Sequence, residues 1–99
     1  MRASDQIVVA VARAYDVEVA DIRSERRING IAQARQVAYL MTSRLLGWSY
    51  SRIGQAFGRD HTTIKHGCEA AAARAQSSDV DARRVRRALQ IYVSNYMAA

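Results

Sequence analysis

Not one proline interrupts the 99-residue chain, and glycine occurs only five times. These two residues disfavour a helix interior most, by about 3 and about 1 kcal/mol relative to alanine. The chain is therefore free to be helical almost throughout. Where glycine occurs, it punctuates: Asn29-Gly30 reads as a turn, and Gly47 and Gly58 read as helix ends. Apolar residues make up 49% of the chain, too many for a disordered tail. A chain this short holds one domain with a modest core. The expected fold is all-α: a compact bundle of about six helices forming a single domain over residues 1–99.

Apolar spacing divides the chain. Ile7, Val11 and Tyr15 recur every four residues, predicting a first helix from Asp5, its expected cap, to Tyr15. Residues 17–22 read as a turn leading into a short helix, and residues 23–30 as a basic loop. Ile31, Ala34, Ala38, Met41 and Leu45 follow the 3-4-3-4 spacing of a helix buried on one side, over Ile31–Leu46. Ser49 then offers a cap for a short helix ending at Phe57, with Tyr50, Ile53 and Phe57 inward. Asp60 caps the next helix, which runs to about Ala75 with Ile64, Cys68 and Ala71 inward. A loop at 76–78 and a cap at Asp79 precede a last helix over 79–97, with Val85, Leu89, Tyr92 and Tyr96 as its stripe. The five tyrosines fall mostly on inner faces and read as core.

The charge has a location. The chain carries +6, and fourteen of its fifteen basic residues are arginine, whose planar fork suits phosphates and guanine edges. Between Ile22 and His66 eight basic residues face two acids; outside that segment seven face seven. The net charge thus sits mid-chain, where a polyanion would be met.

Inside that segment, residues 48–75 read as a helix-turn-helix with the tight turn Gly58-Arg59-Asp60. In such a motif the second helix enters the major groove and its first residues meet base edges. Those residues are Asp60, His61, Thr62 and Thr63. Threonine bonds a base or touches a thymine methyl, and aspartate accepts from a cytosine amino group. Lys65 and His66 follow one turn later, placed for phosphate or base.

The run Phe57-Gly58-Arg59-Asp60-His61-Thr62-Thr63-Ile64 resembles the F-G-G-R-D-H-T-T-V pattern of the C-terminal DNA-binding domain (domain IV) of the bacterial replication initiator DnaA. The resemblance extends upstream to Ser24-Glu25-Arg26-Arg27, Ala32, Arg35-Gln36, Ser49 and Ile53-Gly54, and covers about Ile7 to Glu69. It implies roles. Arg27 matches the basic-loop arginine that enters the minor groove; Asp60, His61, Thr62 and Thr63 match the major-groove readers; Arg35, Ser49 and Arg59 match positions near the phosphate backbone. The chain departs from the pattern in having one glycine before Arg59, in Gln33-Ala34 where Arg-Pro is usual, in Asn29 where a basic residue often lies, and in Lys65 where an apolar residue is usual. The resemblance implies binding of double-stranded DNA at a DnaA-box-like site through both grooves, by a monomer, in regulation of replication initiation or transcription. It makes the replication initiator a further partner. The alternative is a module that binds the initiator or another replication protein without reading DNA.

Other chemistry is excluded from the expectation. No phosphate-binding G-x-x-x-x-G-K-[ST] run occurs, so a chain opening at Met1 reads as a free-standing protein without the initiator's ATPase. On a helix His61 and His66 lie about 140° apart, and His66 and Cys68 about 200°, so they do not converge on a metal. No catalytic set accompanies Cys68, and no enzyme, cofactor or metal is expected. With one cysteine, no signal-peptide pattern and no apolar run near the roughly 20 residues of a membrane span, the expected setting is the cytoplasm, in association with the nucleoid. Arg83, Arg84, Arg86 and Arg87 on the last helix read either as a solvated face flanked by Asp79 and Asp81 or as a contact to phosphate or to an acidic partner.

Overall fold

One helix is wrapped by all the early elements. The computed structural model describes residues 1–28 and 30–97; Asn29 of the expected turn lies outside them. Six α-helices are found among the described residues: α1 (Ala3–Tyr15), α2 (Val19–Arg23), α3 (Ile31–Leu46), α4 (Tyr50–Phe57), α5 (His61–Ser77) and α6 (Asp79–Tyr92), with a π-helical turn over Val93–Met97. No strand occurs among the described residues. None of these helices is long and apolar enough to cross a membrane.

Helix α3 keeps the bounds expected of it. Gly30 and Gly47 flank it with φ of 79° and 67°, a left-handed conformation that glycine adopts without penalty. Its burial is wider than one stripe. Val37, Tyr39, Leu40 and Thr42 are buried beside Ile31, Ala34, Ala38 and Met41, whereas Leu45 is 39% exposed. The reason is its position: α1, α2, α4 and α5 all pack against it. A 3-4 pattern describes a helix with one covered side, and α3 has several. The buried Thr42 hydroxyl donates to the Ala38 carbonyl and so carries no unmet bond.

Other boundaries shift. Helix α1 begins before Asp5, with Arg2 at its cap and no side-chain bond there; Asp5 sits in the first turn, where its carboxylate pairs with Arg23. Helix α5 runs through its alanines to Ser77, leaving Ser78 alone as the link to α6. Ser78, rather than Asp79, caps α6 by accepting the Asp81 N–H. On α6 only Ala88 and Tyr92 are buried, with Val85, Leu89 and, from the π-helical turn that replaces its expected end, Tyr96 packed partly against the core. The core is mostly aliphatic, with buried Tyr15, Tyr39, Phe57 and Tyr92; Tyr39 and Phe57 meet edge to face, centroids 5.0 Å apart.

Candidate nucleic-acid interface

The helix-turn-helix is built by three local devices. Ser49 caps α4, its hydroxyl accepting the Arg52 N–H at 3.1 Å. Gly58 ends α4 with φ of 69°, and the Arg59 N–H returns to the Gly54 carbonyl at 2.9 Å. Asp60 then starts α5, its Oδ1 accepting the Thr63 N–H at 2.8 Å. The chain is so tight here that a Cβ on Gly54 would lie 2.3 Å from the Arg59 carbonyl oxygen. One glycine before Arg59 is thus enough to close a turn of this length.

The result is a helix with a covered side and an open one. Ile64, Gly67, Cys68 and Ala71 are buried, while His61, Thr62, Thr63, Lys65 and His66 are all exposed. His66 lies open and Cys68 inside the core, so the two ligand types face apart. Capping sets the electrostatics of the open end. The Thr63 N–H, with smaller contributions from the Thr63 hydroxyl, the Thr62 N–H and His61, holds the Asp60 carboxyl below its usual range. Asp60 is therefore an anion in the α5 cap, and its second oxygen is left to accept from outside.

The basic loop is fastened to this motif from two directions. Arg35 is buried at 7% exposure. Its Nε donates to the Ile22 carbonyl at 2.7 Å, and its Nη2 donates to those of Asp21 and Arg26 at 2.8 Å each. Burial lowers its pKa from the ordinary guanidinium value, and the three carbonyl dipoles face the charge that remains. Arg59 reaches back from the turn: its Nη1 donates to Glu25 and its Nη2 to the Ser24 carbonyl, both at 2.9 Å. Arg26 pairs with Asp21 at 3.2 Å. Arg27 is exposed and makes no hydrogen bond or ion pair with the described residues.

These fastenings leave a cleft of about 300 Å³ between loop and recognition helix, lined in part by Arg27, Arg35, Gln36, Tyr39, Arg59 and Thr63. Of the ten residues picked out from sequence, Arg27, Arg35, Arg59 and Thr63 meet at this cleft. Asp60, His61, Thr62, Lys65 and His66 continue along the exposed start of α5, and Ser49 stands apart at the α4 cap. Sequence reading did not anticipate that Arg35 and Arg59 hold the loop's backbone, because the Arg26 and Ser24 oxygens they bond lie 9 and 35 residues away and are carbonyls, which every residue has. Nor did it single out Gly67, which sits mid-helix with no turn to mark. A Cβ there would be 2.8 Å from Tyr39 Cδ2, so its hydrogen is what lets α5 lie close on α3.

The family model described as the bacterial dnaA protein helix-turn-helix matches residues 4–70. That span takes in α1 to α4, the basic loop and the first ten residues of α5, and stops short of α6.

Proposed function

The chain belongs to the bacterial DnaA helix-turn-helix family, a family of double-stranded-DNA-binding domains, and on that premise we propose that it reads a DnaA-box-like sequence as a monomer and regulates replication initiation or transcription. The observation that carries the reading is one assembled surface: four short polar side chains open at the start of α5, beside a loop whose arginines are tied down except for Arg27. In this reading Asp60, His61, Thr62 and Thr63 meet base edges in the major groove, and Lys65 and His66 follow one turn along. Arg27 enters the adjacent minor groove, where narrow A·T-rich geometry concentrates negative potential. Ser49 and Arg59 approach phosphates, which fix register without carrying sequence. Arg35 acts one step back, by holding the loop that presents Arg27. Occupying such boxes in the nucleoid places the protein in competition with the replication initiator.

Selection of bound sequences from a random duplex library tests the claim, with the initiator present as competitor in a second arm. A defined asymmetric motif is expected. Thr62→Ala and Thr63→Ala should each cost about 1–3 kcal/mol at one base pair and widen the selected motif there. Equal losses on the selected box and on random duplex would sink base readout by these residues.

A further inference from the structure

Helix α6 lies beyond the span that the family model matches, and it carries the densest run of basic residues in the chain. The equality of acids and bases outside residues 22–66 conceals two poles. Residues 1–21 hold two arginines and four acids, while residues 79–97 hold four arginines and two aspartates. Arg83, Arg84, Arg86 and Arg87 are all exposed. At 100° per residue they span an arc of about 160°. That arc points away from Val85, Ala88 and Tyr92, which pack inward. No acid of the described residues pairs with any of the four; Arg84 rests over the Tyr15 ring at 5.6 Å. Asp79 and Asp81 sit in the first turn of α6, where the helix dipole accommodates them.

Position says which anion this face meets. Helix α5 has 17 residues and so spans about 25 Å, most of the molecule's longest extent of 33 Å. Its first residues form the recognition end, and Ser78 alone joins its other end to α6. The four arginines fall in the first nine residues of α6 and so start from the side of the domain remote from His61. Composition says the rest. A protein partner would be expected to find a desolvated apolar or aromatic centre. Along this arc Val80, about a turn ahead of the arginines, is the one exposed large apolar residue; Ile91 is partly buried, Asp79 precedes Arg83, and the remainder is guanidinium and the Gln90 amide. A duplex, with one charge per about 1.7 Å of its axis, is matched by such a strip.

We propose that the arginine face of α6 is a second, sequence-independent phosphate-binding surface that holds a duplex segment other than the one at the recognition helix. The domain then joins two DNA segments, and only one of them is read. This holds whether or not α5 selects a sequence.

The test uses the full chain, a bead-bound duplex and a labelled second duplex. Wild-type protein is expected to capture the label, and capture should fall with salt. Replacing all four arginines by glutamine should leave binding to a duplex just covering the recognition footprint within about twofold. It should cut capture of the second duplex by more than about tenfold, and flatten its log–log salt dependence by about one unit per arginine on a phosphate. The four-lysine variant should keep most of the capture, which distinguishes lost charge from a damaged helix. One long duplex given alone separates flanking contacts in cis from joining in trans: a loss confined to the long duplex assigns the flank, and loss of capture assigns the second molecule. The Thr62→Ala/Thr63→Ala protein should still capture, so failure of base readout is separable from failure here. No capture by the wild type together with unchanged long-duplex binding in the glutamine variant would overturn the proposal. So would tight binding of polyglutamate, lost in the glutamine variant, with no second-duplex capture, which would assign the face to an acidic protein.

Discussion

Two arginines of one motif serve opposite ends of the same loop. Arg27 is exposed at the cleft with no bond to the described residues, and Arg35 is buried with three carbonyls around it. Their alanine variants should therefore diverge. Arg27→Ala should leave urea unfolding within about 0.5 kcal/mol of wild type and reduce the salt slope of DNA binding by about one unit. Arg35→Ala strands three acceptors and should cost about 2–3 kcal/mol of stability, with weaker binding following from a displaced loop. Equal effects of the two on stability would remove the distinction. Cys68 gives a residue-scale prediction of another kind. Burial raises its thiol from 9.0 to about 11, so the neutral form is the one the fold accepts. Below pH 9 folded and unfolded chains both keep the proton and nothing is lost. Between pH 9 and about 11 the unfolded chain releases it first, and stability falls as pH rises. Above pH 10 the buried Tyr15 and Tyr39, also raised chiefly by desolvation, add to the slope. Cys68→Ala should flatten thermal stability against pH between 9 and 10; an unchanged slope in that window would refute the assignment.

At the scale of elements, the contact between α3 and α5 depends on an atom that is absent. Gly67→Ala should raise the intrinsic helix propensity of α5 by about 1 kcal/mol. Yet the new methyl meets Tyr39 at 2.8 Å and Gln36 Cγ at 3.3 Å. A net loss of about 1–3 kcal/mol is expected, read by denaturant midpoint, with weakened DNA binding because Tyr39 and Gln36 line the cleft. A stabilised variant would show that Tyr39 gives way freely. The same comparison explains what could be read in advance. The bounds of α3 and the ends of α4 were legible because glycine and capping serine or aspartate sit at them, and these act through neighbours in sequence. The exposed start of α5 was legible for the same reason. The end of α5 was not, since nothing in Ala75-Gln76-Ser77 stops a helix, and Ser78 competed with Asp79 as the cap of α6. The wide burial of α3 was not legible either. It depends on how many helices converge there, and the roles of Gly67, Arg35 and Arg59 belong to that convergence.

Across the whole molecule, α1 is covered on one side by α3 and on another by α6. Ala88 and Tyr92 of α6 are buried in the common core. A chain ended at Ser77 should therefore lose its cooperative thermal transition or melt far below the intact protein, even though it keeps the whole recognition motif at 48–75. Retention of the intact melting temperature would show α6 to be an appendage. The loop pinned by Arg35 and Arg59 has a consequence at this scale as well. Five bonds from two side chains fix the Asp21 and Ile22 carbonyls of α2 and, in the loop, the carbonyls of Ser24 and Arg26 and the Glu25 carboxylate before any DNA arrives. A disordered arm would have to surrender conformational entropy on entering a groove, at about 1–2 kcal/mol per ordered backbone residue. For residues 21–26 that ordering is completed during folding, so their docking should be a meeting of two shaped surfaces. Its rate should then be set by diffusion and charge attraction, and the heat-capacity change measured by calorimetry should match the contact area with little contribution from a segment folding as it binds.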